Sequence, residues 1–184
     1  MSVSAQGVVT ITGGKLTTYR EMAENTVDAL LKHETGLPRG IRHSRTAKLK
    51  LRGAMVLKAK ITGRDRHLAE RFGSEAPALQ ALIDHDPALG EPLVPGLPYV
   101  KAEAIYAIRH EMATTLDDVL SRRTRARLQA RDQTAAVAGA VAALMAPELR
   151  WSAAEAEDHA ATYVALVAAE RTASGLPLSE VGLP

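Results

Sequence analysis

The chain has 184 residues, of which 46% are hydrophobic, 24% charged and 3% aromatic, with a formal net charge of +2. This balance suits a globular protein with one sizeable core, or a small domain joined to part of another, and an Ala/Leu/Val/Met core with few aromatics favours packed helices over a β-sandwich. Cysteine is absent, which excludes disulfides, thiolate metal sites and cysteine nucleophiles; no apolar run approaches the roughly twenty residues that span a bilayer, and no signal-peptide pattern opens the chain.

Residues 1–36 read as a strand, a glycine turn and a helix. Val8-Val9-Thr10-Ile11-Thr12 is a β-branched run suited to a buried strand. Gly13 and Gly14 permit a tight turn and close approach of a ligand to backbone. A helix is expected to start near Leu16 and run towards His33, stopping at Gly36 and Pro38. Its first N–H groups and positive dipole end, with the Lys15 ammonium, make an anion site over the glycines. A plain turn with a solvated lysine fits the same pattern. A P-loop does not fit, because Val9 stands where its first glycine belongs and Leu16 where Ser or Thr would follow the lysine. No Gly-x-Gly-x-x-Gly fingerprint occurs either.

Residues 37–53 form a linker with Pro38, Gly40 and Gly53, and an alternating Lys48-Leu49-Lys50-Leu51 that reads as a strand or an extended tie. From Arg39 to Arg66 ten lysines or arginines face a single acid, Asp65. The favoured reading is a solvated linker against acidic protein surface. Nucleic acid is not an expected partner, since no aromatics interleave the charges and no recognised binding module surrounds them.

Residues 54–184 carry helical patterning. Asp65 is placed to cap a helix ending at Gly73, and Ser74 to cap the next, which carries Leu79, Leu82 and Ile83. The proline- and glycine-rich stretch 87–98 reads as a semi-rigid loop. Ile105, Ile108, Met112, Leu116, Val119 and Leu120 recur at the spacing of one amphipathic helix. Thr134 to Met145 is expected as an Ala-rich helix that stops before Pro147. Ser152-Ala153-Ala154-Glu155 matches a capping box that opens a last helix ending at Gly175, with Trp151 as its hydrophobic staple. His110-Glu111-Met112-Ala113-Thr114 begins like a zinc-protease helix but has Thr114 in place of the second histidine, so no metal site is expected. Glu111, Asp117 and Asp118 stand near Arg109, Arg122, Arg123 and Arg125 and are expected to form ion pairs. A docking role for Arg109, Glu111, Asp117, Arg122 and Arg123, against another domain or subunit, is the functional alternative.

Two long blocks resemble one family. Gly7 through Ala23, containing Thr12-Gly13-Gly14-Lys15-Leu16-Thr17-Thr18-Tyr19-Arg20, resembles the late signature of FAD-dependent glycerol-3-phosphate dehydrogenases. Ala102 through Arg125 resembles the helical carboxyl-terminal domain of that family, with Arg71-Phe72-Gly73-Ser74-Glu75-Ala76 and Leu149-Arg150-Trp151 in the family's order. The resemblance implies a mainly α fold: a helical, bundle-like cap domain preceded by the terminal strand-turn-helix of an FAD-binding domain. The rest of that domain would lie upstream of Met1, so the chain by itself is expected to be inactive and not to hold FAD tightly.

The implied parent oxidises sn-glycerol 3-phosphate to dihydroxyacetone phosphate by hydride transfer to flavin, with electrons passing on to quinone. Gly13, Gly14, Leu16 and Thr17 match positions whose backbone lies against the flavin, and Lys15 matches a residue beside flavin and substrate. Quinone-linked chemistry also gives the basic linker a second reading, attraction to anionic lipid. The implied location is the cytoplasm, free or peripheral at the inner face of the membrane. The competing class is a non-catalytic helical module for docking or homo-oligomerisation.

Overall fold

The computed structural model describes residues 1–33, 44–54, 62–175 and 177. The expected helix stop at Gly36 and Pro38, and Gly40 of the linker, lie outside them. The described residues form eight α-helices, shorter 3-10 and π turns, and one two-stranded sheet, a mainly α fold. The chain divides into two units, Met1–Arg52 and Gly53–Pro184.

In the first unit, β1 (Ser2–Val3) pairs antiparallel with β2 (Val9–Thr10), Ser2 opposite Thr10. The β-branched run is therefore not a buried strand: with only Ser2 and Val3 as ladder partners, pairing ends after two residues, and Val8 is exposed. The helix also starts later than expected. Leu16–Thr18 is a 3-10 turn and α1 spans Tyr19–His33. The Thr18 hydroxyl accounts for the tight first turn, accepting from the Lys15 N–H at 3.1 Å and donating to the Lys15 carbonyl at 3.0 Å. On α1 the fully buried side chain is Ala29, while Tyr19, Val27 and Leu30 remain exposed. Thr46–Lys48 makes another 3-10 turn, so the alternating tie begins as a turn and becomes extended at Leu49.

The second unit is built from α2 (Gly63–Phe72), α3 (Ala76–His85), α4 (Lys101–Glu111), α5 (Ala126–Gln129), α6 (Arg131–Ala136), α7 (Ala138–Leu149) and α8 (Ala153–Ser174). Leu68, Phe72, Leu79, Ile83 and Tyr106 form one apolar cluster between α2, α3 and α4. A larger cluster gathers Val94, Leu116, Val119, Leu120, Val141, Met145, Tyr163 and Val167. The 87–98 stretch is an ordered insert into that core: Leu93 N–H donates to Tyr99 O at 2.8 Å and Lys101 N–H to Glu91 O at 3.0 Å, while Leu93, Val94 and Leu97 are buried. A loop rich in proline, with few N–H groups to satisfy, can be buried at low cost.

Four boundaries depart from expectation. Thr62, not Asp65, is the cap of α2, and Asp65 sits in its first turn. Ser74 falls inside a 3-10 turn, Gly73–Glu75, ahead of α3. The long amphipathic helix breaks at Met112, which adopts φ +59° and ends α4, and a π-helix, Asp118–Arg123, follows. The periodicity persisted because Leu116, Val119 and Leu120 still enter the core after the break. The Ala-rich segment is two helices interrupted at Val137, and α7 carries Pro147 within its last turn. A proline so near the end denies a donor to one carbonyl only, and the chain turns at Arg150 with φ +59°.

The capping box holds as read: Ser152 N–H donates to Glu155 Oε2 at 2.7 Å and Glu155 N–H to Ser152 Oγ at 3.3 Å. Trp151 stacks face-on against His159, ring centroids 3.9 Å apart, one turn beyond the staple position.

Two tight spots hold the unit's opening together. Gly73 has φ +56°, and a Cβ there would lie 1.7 Å from the carbonyl oxygen of Gly53, which also accepts the Ser74 N–H at 3.3 Å. Glu103, 2% exposed, joins α4 to α2: His67 Nε2 donates to its Oε1 at 2.7 Å, Arg71 Nε lies 2.8 Å from Oε2, and the Val100 N–H donates to Oε1 at 3.0 Å. Gly73→Ala should destabilise the chain by more than about 2 kcal/mol, since it adds both a strained φ and a backbone collision. Glu103→Ala leaves Arg71 without its carboxylate and should cost about 3 kcal/mol. Urea unfolding followed by circular dichroism reads both, and wild-type midpoints would contradict these assignments.

Candidate functional site

Gly13 and Gly14 have φ of +85° and +98°, a left-handed pair that side-chain-bearing residues adopt only with strain. Gly14 is constrained twice, because a Cβ there would meet Met22 Sδ at 2.0 Å. Lys15 then returns to extended backbone at the start of the 3-10 turn. The turn thus brings Gly13, Gly14, Lys15, Leu16 and Thr17 together at the amino end of the α1 helix, all exposed, with Leu16 at 86%. A basic side chain, a helix end and an uncovered glycine backbone are what an anionic ring or phosphate requires.

The charged block of the second unit is arranged differently. Arg109 forms a forked pair with Glu148 on α7, its Nε 2.7 Å from Oε2. Arg122 bridges Asp117 and Asp118 at 2.7 and 2.9 Å. Arg123 donates through Nε and Nη2 to the backbone carbonyl of Glu111 at 3.1 and 2.6 Å, fastening the π-helix to the end of α4. The three acids Glu111, Asp117 and Asp118 therefore pair with arginines as expected, but Arg109 takes its partner from α7 instead of from the block, and each of the five residues named for docking has a partner inside this unit.

Sequence reading missed Arg127, Glu148 and Glu170. Arg127 spans from Asp117 at 2.8 Å to Glu170 on α8, and such contacts across 43 positions carry no local spacing signal. A linked polar contact, Tyr163 Oη donating to Thr134 Oγ1 at 2.9 Å, is buried between α8 and α6, and burial pushes the Tyr163 phenol up. Among the described residues, no group of three or more His, Asp or Glu side chains is placed to hold a metal, and no helix is long and apolar enough to cross a membrane.

Residues 44–156 match the family model described as the C-terminal domain of alpha-glycerophosphate oxidase. The chain belongs to that family. It is 36% identical over 190 residues to glycerol-3-phosphate dehydrogenase 2 of Mycobacterium tuberculosis strain H37Rv, covering 96% of this chain and 32% of the relative. The glycerol-3-phosphate dehydrogenase of Mycobacterium leprae is 34% identical with the same coverage. A probable mitochondrial glycerol-3-phosphate dehydrogenase of Dictyostelium discoideum is 34% identical over 164 residues, 83% of this chain and 25% of that protein. The chain thus spans 32% of the length of the mycobacterial relatives. No solved structure matches it.

Asp118 and Glu148 are two of three carboxylates in this family domain whose surroundings favour ionisation, the third being Glu155, which accepts from the Ser152 N–H and hydroxyl. Burial opposes ionisation of Asp118, but the Thr114 N–H, the Thr115 hydroxyl and N–H, and Arg122 outweigh it and hold the carboxyl below its ordinary range. The hydrogen bond from Arg109 lowers Glu148 against the smaller opposing effect of burial. A depressed folded pKa gives stability that is complete above the unfolded carboxylate value and is lost as pH falls through the folded one. The thermal midpoint should therefore drop as pH falls below about 4, and Asp118→Asn together with Glu148→Gln should flatten that slope. Calorimetry across pH 2–6 measures it, and an unchanged slope would remove these carboxylates from the acid response.

Proposed function

We propose that this chain is the carboxyl-terminal part of an FAD-dependent enzyme that oxidises sn-glycerol 3-phosphate to dihydroxyacetone phosphate and passes electrons to quinone. The observation that carries the reading is the left-handed Gly13-Gly14 turn before Lys15, in a chain that aligns over 96% of its length with glycerol-3-phosphate dehydrogenases. The residues present fit one side of a flavin site. Gly13 has open space where a Cβ would stand, so a planar ring can lie against its backbone. Leu16 and Thr17 would flank that ring, and Lys15 would face its negative edge.

When bound, FAD supplies the acceptor for the hydride leaving C2 of the substrate. Lys15 and the positive end of the helix would stabilise negative charge on the bound ring, and Lys15 would also stand beside the substrate. Lys15 is an electrostatic group, not the base that takes the C2 hydroxyl proton; that base, and the glycine fingerprint for the FAD pyrophosphate, belong to the portion of the longer relatives that this chain does not span. The 184-residue chain by itself is accordingly inactive and holds FAD weakly. The five paired residues of the charged block, Arg109, Glu111, Asp117, Arg122 and Arg123, turn the outer edge of their ion pairs towards that portion or towards a second copy.

Purified with added FAD and then desalted, the chain should show no stoichiometric flavin absorbance; a yellow, equimolar complex would overturn the division of the site. In a full-length enzyme carrying this segment, Lys15→Met should lower kcat by roughly a hundredfold while leaving the melting temperature within about 2 °C. Near-normal turnover would remove Lys15 from the mechanism.

A further inference from the structure

The 3-10 turn that leads into α1 starts in a way that works against its own stability. Lys15 stands at the cap, where Ser, Thr, Asp or Asn would be stabilising, and it sets a cation at the positive end of the helix. The two residues before it are glycines with φ of +85° and +98°, and they carry no side chain through which the turn could be restrained. Local rules of this kind are broken at functional sites.

The restraint comes from inside the turn. Thr18 reaches back and closes on both backbone groups of Lys15: its Oγ1 accepts the Lys15 N–H at 3.1 Å and donates to the Lys15 carbonyl at 3.0 Å, and the same carbonyl accepts the Thr18 N–H at 2.9 Å. Met22, one turn further along the same face, closes the glycine side. Its Sδ lies 2.0 Å from where a Gly14 Cβ would stand and 3.7 Å from Thr18 Oγ1. The Thr18 hydroxyl is thus committed to the backbone of Lys15, and the Lys15 side chain is left exposed.

We propose that Thr18 is a positioning residue for Lys15: by clasping both backbone groups of the lysine it fixes the direction in which the side chain leaves the glycine turn, and so where its charge stands over bound flavin and substrate. This rests on the reading of Lys15 as the electrostatic group of the flavin site. A lysine carries its charge on a flexible four-carbon stem, so the place from which the stem departs limits where the charge is found. Small displacements at a reacting centre lower rates steeply. The clasp needs a hydroxyl that both accepts and donates; serine has one, and valine, with the shape of threonine, has none.

In the 184-residue chain, amide hydrogen exchange followed by NMR reads the clasp itself. Thr18→Val should raise the exchange rate of the Lys15 N–H roughly fivefold, and Thr18→Ser should keep it near the wild-type rate. In a full-length enzyme carrying this segment, Thr18→Val should lower kcat roughly tenfold and leave KM within about twofold, with flavin content and helical circular dichroism unchanged, and Thr18→Ser should recover the turnover. Placed on Lys15→Met, Thr18→Val should lower kcat no further, because it acts through that lysine. Unaltered Lys15 exchange or wild-type kcat in Thr18→Val would overturn the proposal, as would the same loss of kcat in both backgrounds or a loss matched by lost flavin. The two readings fail separately: near-normal turnover of Lys15→Met removes the lysine and with it whatever positions it, whereas a slow Lys15→Met beside an unimpaired Thr18→Val removes the clasp alone.

Discussion

A carboxylate removed from water has to be answered by cations and donors, and Glu103 imposes that requirement at the centre of the helical unit. His67 and Arg71 reach it from α2, one turn apart on the same face, and the Val100 N–H reaches it from the start of its own helix. The His67 and Arg71 contacts tie α2 to α4, while the Val100 contact fixes the carboxylate at the start of α4 itself. Phe72 then lands edge-on against Tyr106, ring centroids 5.2 Å apart, and Leu79 and Ile83 of α3 close the cluster beneath. The same α2 end carries Gly73, whose backbone lies against Gly53, so the entry of the chain into this unit depends on where Glu103 holds the helix.

The other half of the unit solves a different problem, how to bury alanine-rich helices that offer little side chain to interlock. Short side chains let α7 and α8 approach closely, with Ala138, Ala142 and Ala156 buried between larger residues such as Met145 and Tyr163. Orientation then comes from charge. Arg109–Glu148 ties α4 to α7, and Arg127 ties the Asp117 turn to α8. Arg127 is largely sheltered, so its contact is screened less by salt than a surface pair would be. The π-helix and the left-handed Met112 and Arg125 at its flanks are the local adjustments that let one chain segment meet both constraints.

Against this packed unit the amino-terminal one is spare. Its glycine turn is rigidly specified, while the surfaces around it, Leu16 and the Tyr19 and Val27 side chains of α1 among them, are exposed. A site of that kind has the backbone of a binding motif without the walls that would exclude water from it. This is the physical content of the proposal that the chain supplies one side of a flavin pocket, and it agrees with a chain that spans 32% of its mycobacterial relatives.

The sequence by itself determined the elements whose causes are local. The glycine pair and the helix after it, the Ser152–Glu155 capping box and the i,i+4 pairing of Asp118 with Arg122 each depend on neighbours within one turn. Family membership was legible for a related reason: long runs of residues in order survive as a pattern even when no contact is known. The tertiary structure alone decided what depends on distant partners. Glu103 looked like any helical glutamate until His67 and Arg71 were brought to it from 36 and 32 positions away. Apolar spacing from Ile105 to Leu120 could not reveal the break at Met112, because burial conserves which residues face the core and not the path of the backbone between them. Arg127 with Glu170, and the β-branched run reduced to two paired residues, show the same limit. A long-range contact or a ladder partner is a property of two segments, and periodicity describes only one.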